Sequence, residues 1–175
     1  MASLRQIHSD RCLMAATPAC IGEGDALVTC SPGLGLSIRT ADCFPILLAD
    51  TGHRAIAAIH AGWRGTALGI VGAVLKRMHV EFKTHPEVVF AAIGPGIGKC
   101  CYEVAEDVAS RFGDPAARRI DLAATNRAQL IAAGVPESQI DVLGLCTFCD
   151  PERFHSFRRD KDRAGRMVSY IRLIA

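Results

Sequence analysis

Cys43 and His60 combine reactive side chains with a spacing that can bring them together. Two apolar runs, 44–49 and 55–59, lie between them and are separated by the turn-forming residues 50–53. Apolar runs of this length, bounded by turn residues, are typical of buried strands and predict a hairpin. Cys43 then ends one strand and His60 the other, so a thiol and an imidazole meet at one end of a sheet. That arrangement suits either a metal site or a Cys–His nucleophile pair.

His8 is a third candidate ligand, although an isolated histidine is more often a surface or strand-edge residue. Zinc accepts thiolate and imidazole ligands, and a catalytic zinc has three protein ligands and one open position. His8, Cys43 and His60 would make such a set. The alternative for Cys43 is an inert core thiol.

Three arginines are candidate phosphate ligands: Arg64, Arg158 and Arg159. A guanidinium group presents a planar fork of donors that matches two phosphate oxygens at once. Arg64 follows His60 by four residues and precedes a predicted helix, where free backbone N–H groups also favour anions. A salt-bridged surface arginine is the alternative interpretation.

The remaining cysteine pairs, Cys100-Cys101 and Cys146-x-x-Cys149, are interpreted as structural thiols near turns. No second CxxC and no histidine pair at zinc-finger spacing accompanies them. Vicinal cysteines rarely bridge within the allowed disulfide geometry. We therefore expect mostly buried thiols, with chemistry at one or two of the eight cysteines.

Composition indicates one globular domain over residues 1–175, because half of the residues are hydrophobic and 22% are charged. A formal net charge of +2 argues against nucleic-acid or membrane partners. The N-terminal residues lack the apolar core of a secretory signal, so a cytoplasmic location with reduced thiols is expected.

Strand and helix patterns are mixed without regular alternation, which favours a layered α+β fold. Thr66 is expected to cap a helix with Leu68, Val71, Leu75 and Met78 on one face, and Asp121 to cap a second helix over 122–133. The other predicted elements are strands over 87–93 and 139–143, a helix over 102–112, and a closing strand pair formed by 154–157 and 167–174.

Several sequence words run in the same order as in a known family. They are QIH (6–8), DALVT (25–29), SPG (31–33), TADCFPILLAD (40–50), AIHAGWRGT (58–66), IGPGIGKCCYEV (93–104), CT (146–147), FHSFRRD (154–160) and GR (165–166). The chain thereby resembles the multicopper polyphenol oxidase (laccase-like) family, better described as zinc-dependent purine nucleoside phosphorylases. The resemblance covers almost the whole chain, although the family's usual segment before the QxH word is absent from this sequence.

The resemblance implies an α-β-β-α sandwich with mixed β-sheets and a metal held by His8, Cys43 and His60. It also implies phosphorolysis of adenosine, inosine, guanosine and methylthioadenosine, with adenosine deamination as a side activity. The expected partners are a purine nucleoside and phosphate, and the expected state is a monomer or weak homodimer. The family's tyrosine before the two arginines is Phe157 here, which removes one hydroxyl from the site.

In the favoured mechanism, zinc orients phosphate or stabilises the departing purine, while Arg64, Arg158 and Arg159 hold phosphate. Asp42, beside Cys43, either orients a ligand, relays a proton or caps a turn. Three alternatives remain open: a cysteine hydrolase or amidase that uses Cys43 and His60, a copper-dependent polyphenol oxidase, and an inactive purine-binding domain. Copper oxidation ranks low because three ligands make one site, whereas laccase chemistry needs several coppers.

Overall fold

The computed structural model describes residues 1–52 and 54–174, so His53 of the predicted hairpin turn lies outside the described residues. The strands are β1 (Ser3–Arg5), β2 (Cys12–Met14), β3 (Cys20–Glu23), β4 (Ala26–Thr29), β5 (Gly35–Thr40), β6 (Phe44–Asp50), β7 (Ala55–Ala61), β8 (Val89–Ile93), β9 (Ile140–Val142) and β10 (Met167–Arg172). The helices are α1 (Trp63–Ala67), α2 (Ile70–Phe82), α3 (Glu106–Ala109), α4 (Leu122–Ala132) and α5 (Phe157–Asp160).

A six-stranded mixed sheet, in the order β2-β4-β7-β6-β8-β9, forms the centre of the fold. Its middle pair is the predicted hairpin, in which β6 and β7 run antiparallel with Phe44 opposite Ala61 and Pro45 opposite His60. Every residue of β7 is buried, because the sheet is covered on both faces. The hairpin prediction is therefore confirmed, and it places Cys43 and His60 at the same end of the sheet.

Helices cover one face of this sheet, and smaller sheets cover the other. Side chains of α2 and α4 pack on the first face against β4 residues such as Ala26 and Val28. Leu27, between them, points to the opposite face and joins a second core with Leu36 and Ile38 of β5. Two-stranded sheets β5–β10 and β1–β3 build that second layer. The expected mixed α+β architecture with layered sheets is confirmed.

The helix predicted from Thr66 is two helices. Thr66 lies inside α1, and α2 begins only after Gly69, whose φ of 77° breaks the helical path. Leu68 is therefore 61% exposed rather than on the core face, whereas the predicted core residues Val71 and Met78 are fully buried. In the described residues, no helix is both long and apolar enough to cross a bilayer.

Two further elements differ from expectation because distant backbone groups take over their hydrogen bonds. The first turn of the helix predicted over 102–112 is absent, since Tyr102 and Val104 bond to residues 120 and 118 instead. The expected closing strand pair does not form, because β10 pairs with β5 and Phe157 begins α5. The Asp121 cap is confirmed, with its carboxylate accepting from the Ala124 N–H at 2.9 Å.

Candidate metal centre and cavity

Three side chains from different parts of the chain converge at the end of the central hairpin. His8 follows β1, Cys43 lies between β5 and β6, and His60 belongs to β7. One ligand atom from each lies within 4.8 Å of the other two. The two imidazole rings meet edge to face, with their centroids 4.9 Å apart. The structure thus brings together the three residues that the sequence singled out, in a group of donors that could bind a metal ion.

The backbone is strained at two positions of this group. His8 has a φ of 60° and Asp42, next to Cys43, has a φ of 86°. Left-handed conformations cost energy for residues with a Cβ, and they persist where the surrounding structure enforces them. Both strained residues lie at or beside a candidate ligand, since His8 is one and Asp42 precedes Cys43.

Asp25 holds the centre together, and sequence reasoning did not select it as a site residue. Its fully buried carboxylate accepts from the His8 N–H at 2.9 Å and from the Ser9 N–H at 2.6 Å. It also bonds to His60 Nδ1 at 2.8 Å. The sequence did contain a signal for this role, because Asp25 directly precedes a buried strand. A carboxylate is stable at such a position only when it has hydrogen-bond partners.

The hydrogen bonds of Asp25 determine which nitrogen of His60 faces the centre. Burial raises the pKa of Asp25, but bonds from His60 and Ser9 outweigh burial and lower the pKa to about 2. An ionised carboxylate only accepts, so Nδ1 of His60 donates to Asp25 and Nε2 is the nitrogen that faces Cys43. Burial lowers the pKa of His60, but hydrogen bonds to Asp25 and Cys43 outweigh it and raise that pKa to about 9, so Nε2 gives up a proton when it binds a metal. Burial raises the pKa of Cys43, but hydrogen bonds from His60 and His8 outweigh it and lower that pKa to about 7.

The three donors open into a cavity of about 770 Å³. Its other walls carry Arg39, Arg158, Arg166, Tyr102 and Phe157. Imidazole and thiol groups therefore face the same space as guanidinium groups and aromatic rings. A cavity of this size suits a small molecule that carries both an anionic and a planar part.

Asp42 positions one of these arginines. One of its carboxylate oxygens accepts from the backbone N–H of Arg158 at 2.6 Å, and the other accepts from the Thr147 hydroxyl at 2.7 Å. The guanidinium of Arg158 in turn donates to the Glu103 carbonyl at 2.8 Å. Asp42 therefore ties the segment beside Cys43 to the segment that carries Arg158.

Comparisons with known proteins agree with this geometry. Residues 1–174 match the model of a family described as multi-copper polyphenol oxidoreductase laccase. The chain belongs to this laccase-like family. Two similar proteins are a purine nucleoside phosphorylase of Bacteroides thetaiotaomicron, 43% identical over 84% of this chain, and adenosine deaminase RL5 of an unknown prokaryotic organism, 39% identical over 84%. The crystal structure of a hypothetical protein YfiH of Bacillus licheniformis superposes with a TM-score of 0.88 at 33% identity, covering 97% of this chain and 72% of that one.

The chain spans only part of the length of these laccase-like relatives. It covers 60% of the Bacteroides phosphorylase and 61% of the deaminase RL5. The donor set of the centre, two imidazoles and a thiol, is chemically suited to zinc and to copper alike.

The three predicted phosphate ligands of this laccase-like chain lie in different environments. Arg158 lines the cavity. Arg64 is exposed on α1 with its guanidinium 4.4 Å from the Trp63 ring, and it is not among the cavity-lining residues. Arg159 also lies outside the lining, because its guanidinium donates to Asp160 and to backbone carbonyls of residues 147, 148 and 154. Phosphate binding by any of the three stays a prediction.

The structure corrects the interpretation of the other cysteines as mostly buried thiols. Cys100, Cys101, Cys146 and Cys149 form a second group with sulfur atoms within 4.8 Å of one another. Cys100 and Cys149 are exposed, as are Cys20 and Cys30. The sequence spacing does not reveal this group, because its two halves are brought together by the parallel pairing of β8 with β9.

Gly62 is needed for the close approach of the three ligands. A Cβ at this position would lie 3.0 Å from Cys43 Sγ and 3.2 Å from His8 Cδ2. We expect Gly62→Ala to displace both side chains and weaken metal binding, measured with zinc, about 10-fold or more, as loss of a supporting contact does in metal sites. Competitive titration with a zinc indicator measures this. Gly72→Ala is the control, because a Cβ there meets open space; equal zinc affinity of the two variants would contradict the prediction.

Proposed function

We propose that this chain carries out the phosphorolysis of purine nucleosides, including adenosine, inosine, guanosine and methylthioadenosine. The observation that supports it most is that the His8, Cys43 and His60 donors and the Arg158 guanidinium line the same cavity. The name of the Bacteroides relative, which is 43% identical, points to the same reaction.

Zinc is the metal we propose for the centre. Three protein donors with an opening to a cavity match the open coordination of catalytic zinc sites. A zinc ion bound there supplies a Lewis acid beside the substrate. Asp25 fixes the orientation of the His60 ring, and its bonds to the backbone of residues 8 and 9 fix the loop that carries His8.

In phosphorolysis, a phosphate oxygen forms a bond to C1′ of the ribose as the bond from C1′ to the purine nitrogen breaks. The purine keeps the electron pair and takes up the proton that the attacking hydrogen phosphate gives up, and ribose 1-phosphate is the other product. Arg158 holds the attacking phosphate by paired N–H donors. Asp42 and the Glu103 carbonyl hold Arg158 in position, which keeps the phosphate close to the anomeric carbon.

Phe157 offers a ring surface to the planar base, whereas the Tyr102 ring lies beside the Arg158 guanidinium, 5.3 Å from it. Burial, with a smaller contribution from the nearby Cys43, raises the pKa of Tyr102 to about 12. The phenol therefore stays protonated at neutral pH and can donate a hydrogen bond to the nucleoside. Phe157 is 46% exposed and lacks a hydroxyl, so its contribution is stacking alone.

Adenosine deamination is the second activity that we propose for the same cavity. The observation that favours it is the 39% identity with a relative named adenosine deaminase RL5. Deamination replaces the amino group of the base with oxygen from water and releases ammonia. The product, inosine, still carries the ribose, so chromatography separates it from the adenine of phosphorolysis.

One incubation tests both reactions. Purified protein, loaded with zinc, is mixed with adenosine and phosphate, and adenine, ribose 1-phosphate and inosine are quantified. Phosphate-dependent release of adenine supports the proposal. Calorimetric binding of inosine without any product would instead indicate an inactive purine-binding domain.

Arg158 is expected to determine the affinity for phosphate. Loss of a charge-assisted hydrogen bond costs about 1.5–3 kcal/mol, so Arg158→Gln should raise the KM for phosphate about 10- to 100-fold. The KM for adenosine should change less. Arg153→Gln is the matched control, because Arg153 is an exposed arginine paired with Asp150. An unchanged KM for phosphate in Arg158→Gln would remove Arg158 from the phosphate site.

A further inference from the structure

We propose that Cys100, Cys101, Cys146 and Cys149 form a second metal site, a structural zinc bound by four thiolates. This site goes beyond the proposed function, since it lies outside the cavity of the phosphorolysis site. The four sulfur atoms all lie within 4.8 Å of one another. Two of the separations are 3.7 Å, between Cys100 and Cys149, and 3.3 Å, between Cys101 and Cys149.

These separations fit a tetrahedral zinc site. With Zn–S bonds of about 2.3 Å, the sulfur atoms at the corners of a tetrahedron lie roughly 3.8 Å apart. Sulfur atoms in a disulfide are about 2 Å apart, and all eight cysteines are free in this structure. Four thiolate ligands also close the coordination sphere, which is the pattern of structural zinc rather than catalytic zinc.

The four cysteines lie on two loops that the sheet brings together. β8 and β9 are parallel, with Ile93 opposite Val142, so the loops that follow them leave the sheet at the same edge. Gly96 then forms a bridge with Cys146, which aligns the two cysteine pairs. The backbone N–H of Gly98 donates to Cys146 Sγ at 3.2 Å, a contact of the kind that supports metal ligands from outside the coordination sphere.

Gly98 also leaves room for the sulfur atoms. A Cβ at this position would lie 3.2 Å from Cys100 Sγ and 3.3 Å from Cys146 Cβ. The loop thus passes the cysteines at a distance that a larger residue would disturb. Metal sites typically combine converging ligands with supporting contacts from the backbone. This group has four converging thiols, an amide donor to sulfur and a closely approaching backbone.

A zinc ion bound by the four cysteines would stabilise one wall of the cavity that Arg158 lines. Thr147 lies between Cys146 and Cys149, and its hydroxyl donates to Asp42, which also holds the Arg158 N–H. Arg159 donates to the carbonyls of Thr147 and Phe148. The cysteine loop and the arginine segment are therefore linked by hydrogen bonds, and fixing the first restrains the second.

Metal content tests the site without an activity assay. The full chain is purified under reducing conditions, equilibrated with zinc and desalted, and bound zinc is measured by mass spectrometry. We expect Cys100→Ser/Cys149→Ser to bind one zinc per chain fewer than the parent. The matched control, Cys20→Ser/Cys30→Ser, changes two other exposed cysteines and should bind as much as the parent. Equal zinc in the parent and in Cys100→Ser/Cys149→Ser would overturn the proposal.

Two further measurements keep the test decisive if that variant fails to fold. In the parent protein, zinc should protect the four cysteines from maleimide much more than Cys20 and Cys30, and a chelator should remove the protection. Chelation should also speed hydrogen exchange of the backbone amides in 147–159. Equal labelling of all these cysteines, or a disulfide within the group in place of zinc, would overturn the proposal.

The result is independent of the phosphorolysis proposal. Failure of the first centre would leave a parent with one zinc that Cys43→Ala retains and Cys100→Ser/Cys149→Ser loses. Failure of the second site would show the opposite pattern. Metal counts of the two variants therefore separate the two proposals.

Discussion

Cys43→Ala should lose the proposed metal of the His8, Cys43 and His60 centre and nearly all of the proposed phosphorolysis. Removal of one of three donors leaves two imidazoles, which is fewer protein ligands than zinc sites use. A bound metal contributes several kcal/mol of transition-state stabilisation, so kcat/KM should fall on the order of 10²- to 10³-fold or more. Release of adenine from adenosine and zinc content are the two measurements.

Cys30→Ala is the control for this variant, because Cys30 is an exposed thiol that belongs to neither group of candidate metal ligands. It should retain the activity and the zinc of the parent. A Cys43→Ala protein that binds zinc at the centre and cleaves adenosine like the parent would disprove our proposal for the metal centre.

The reactivity of Cys43 distinguishes the proposed phosphorylase from a cysteine hydrolase, the alternative that the sequence left open. His60 and His8 hold the pKa of Cys43 near 7, so the metal-free protein presents a nucleophilic thiolate at neutral pH. A coordinated thiolate is no longer a free nucleophile. We therefore expect iodoacetamide to label Cys43 in chelator-treated protein and zinc to prevent the labelling. Labelling that zinc does not affect, together with amide hydrolysis, would favour the hydrolase.

Asp25→Ala should strongly lower the free energy of unfolding. The carboxylate is fully buried and accepts from three backbone N–H groups, from the Ser9 hydroxyl and from His60. Removing one partner of a buried charged network costs about 3–5 kcal/mol, because the remaining donors lose their acceptor inside the protein. Urea unfolding of the metal-free proteins measures the difference. Asp10→Ala, which changes an exposed aspartate nearby, is the control and should change the free energy of unfolding little.

Asp25→Asn tests the effect of Asp25 on metal affinity separately from its effect on the stability of the fold. The amide keeps the shape of the side chain, but one of its two ends donates and therefore faces N–H groups that also donate. A neutral amide oxygen is a weaker acceptor than a carboxylate for the Nδ1 proton of His60, so zinc affinity should fall about 10- to 100-fold. A competitive zinc titration measures it. Unchanged zinc affinity in a folded Asp25→Asn protein would show that Asp25 is structural only.

Local patterns predicted the parts of the fold that depend on neighbouring residues. The β6–β7 hairpin followed from two apolar runs and a turn, and the Asp121 cap followed from its position before a helix. Predictions failed where long-range contacts compete with local preference. Tyr102 and Val104 bond to residues 120 and 118 rather than form a helical turn, and β10 pairs with a strand more than 120 residues earlier.

The sequence by itself determined the chemistry available to this protein. Cys43 and His60 end two strands that a short turn must pair, so their meeting follows from the hairpin. Only the tertiary structure decided which other groups join them. Asp25 supports His60, Asp42 positions Arg158, and two cysteine pairs more than 40 residues apart form one group. These contacts depend on how strands are ordered in the sheets, and strand order arises from packing over the whole chain.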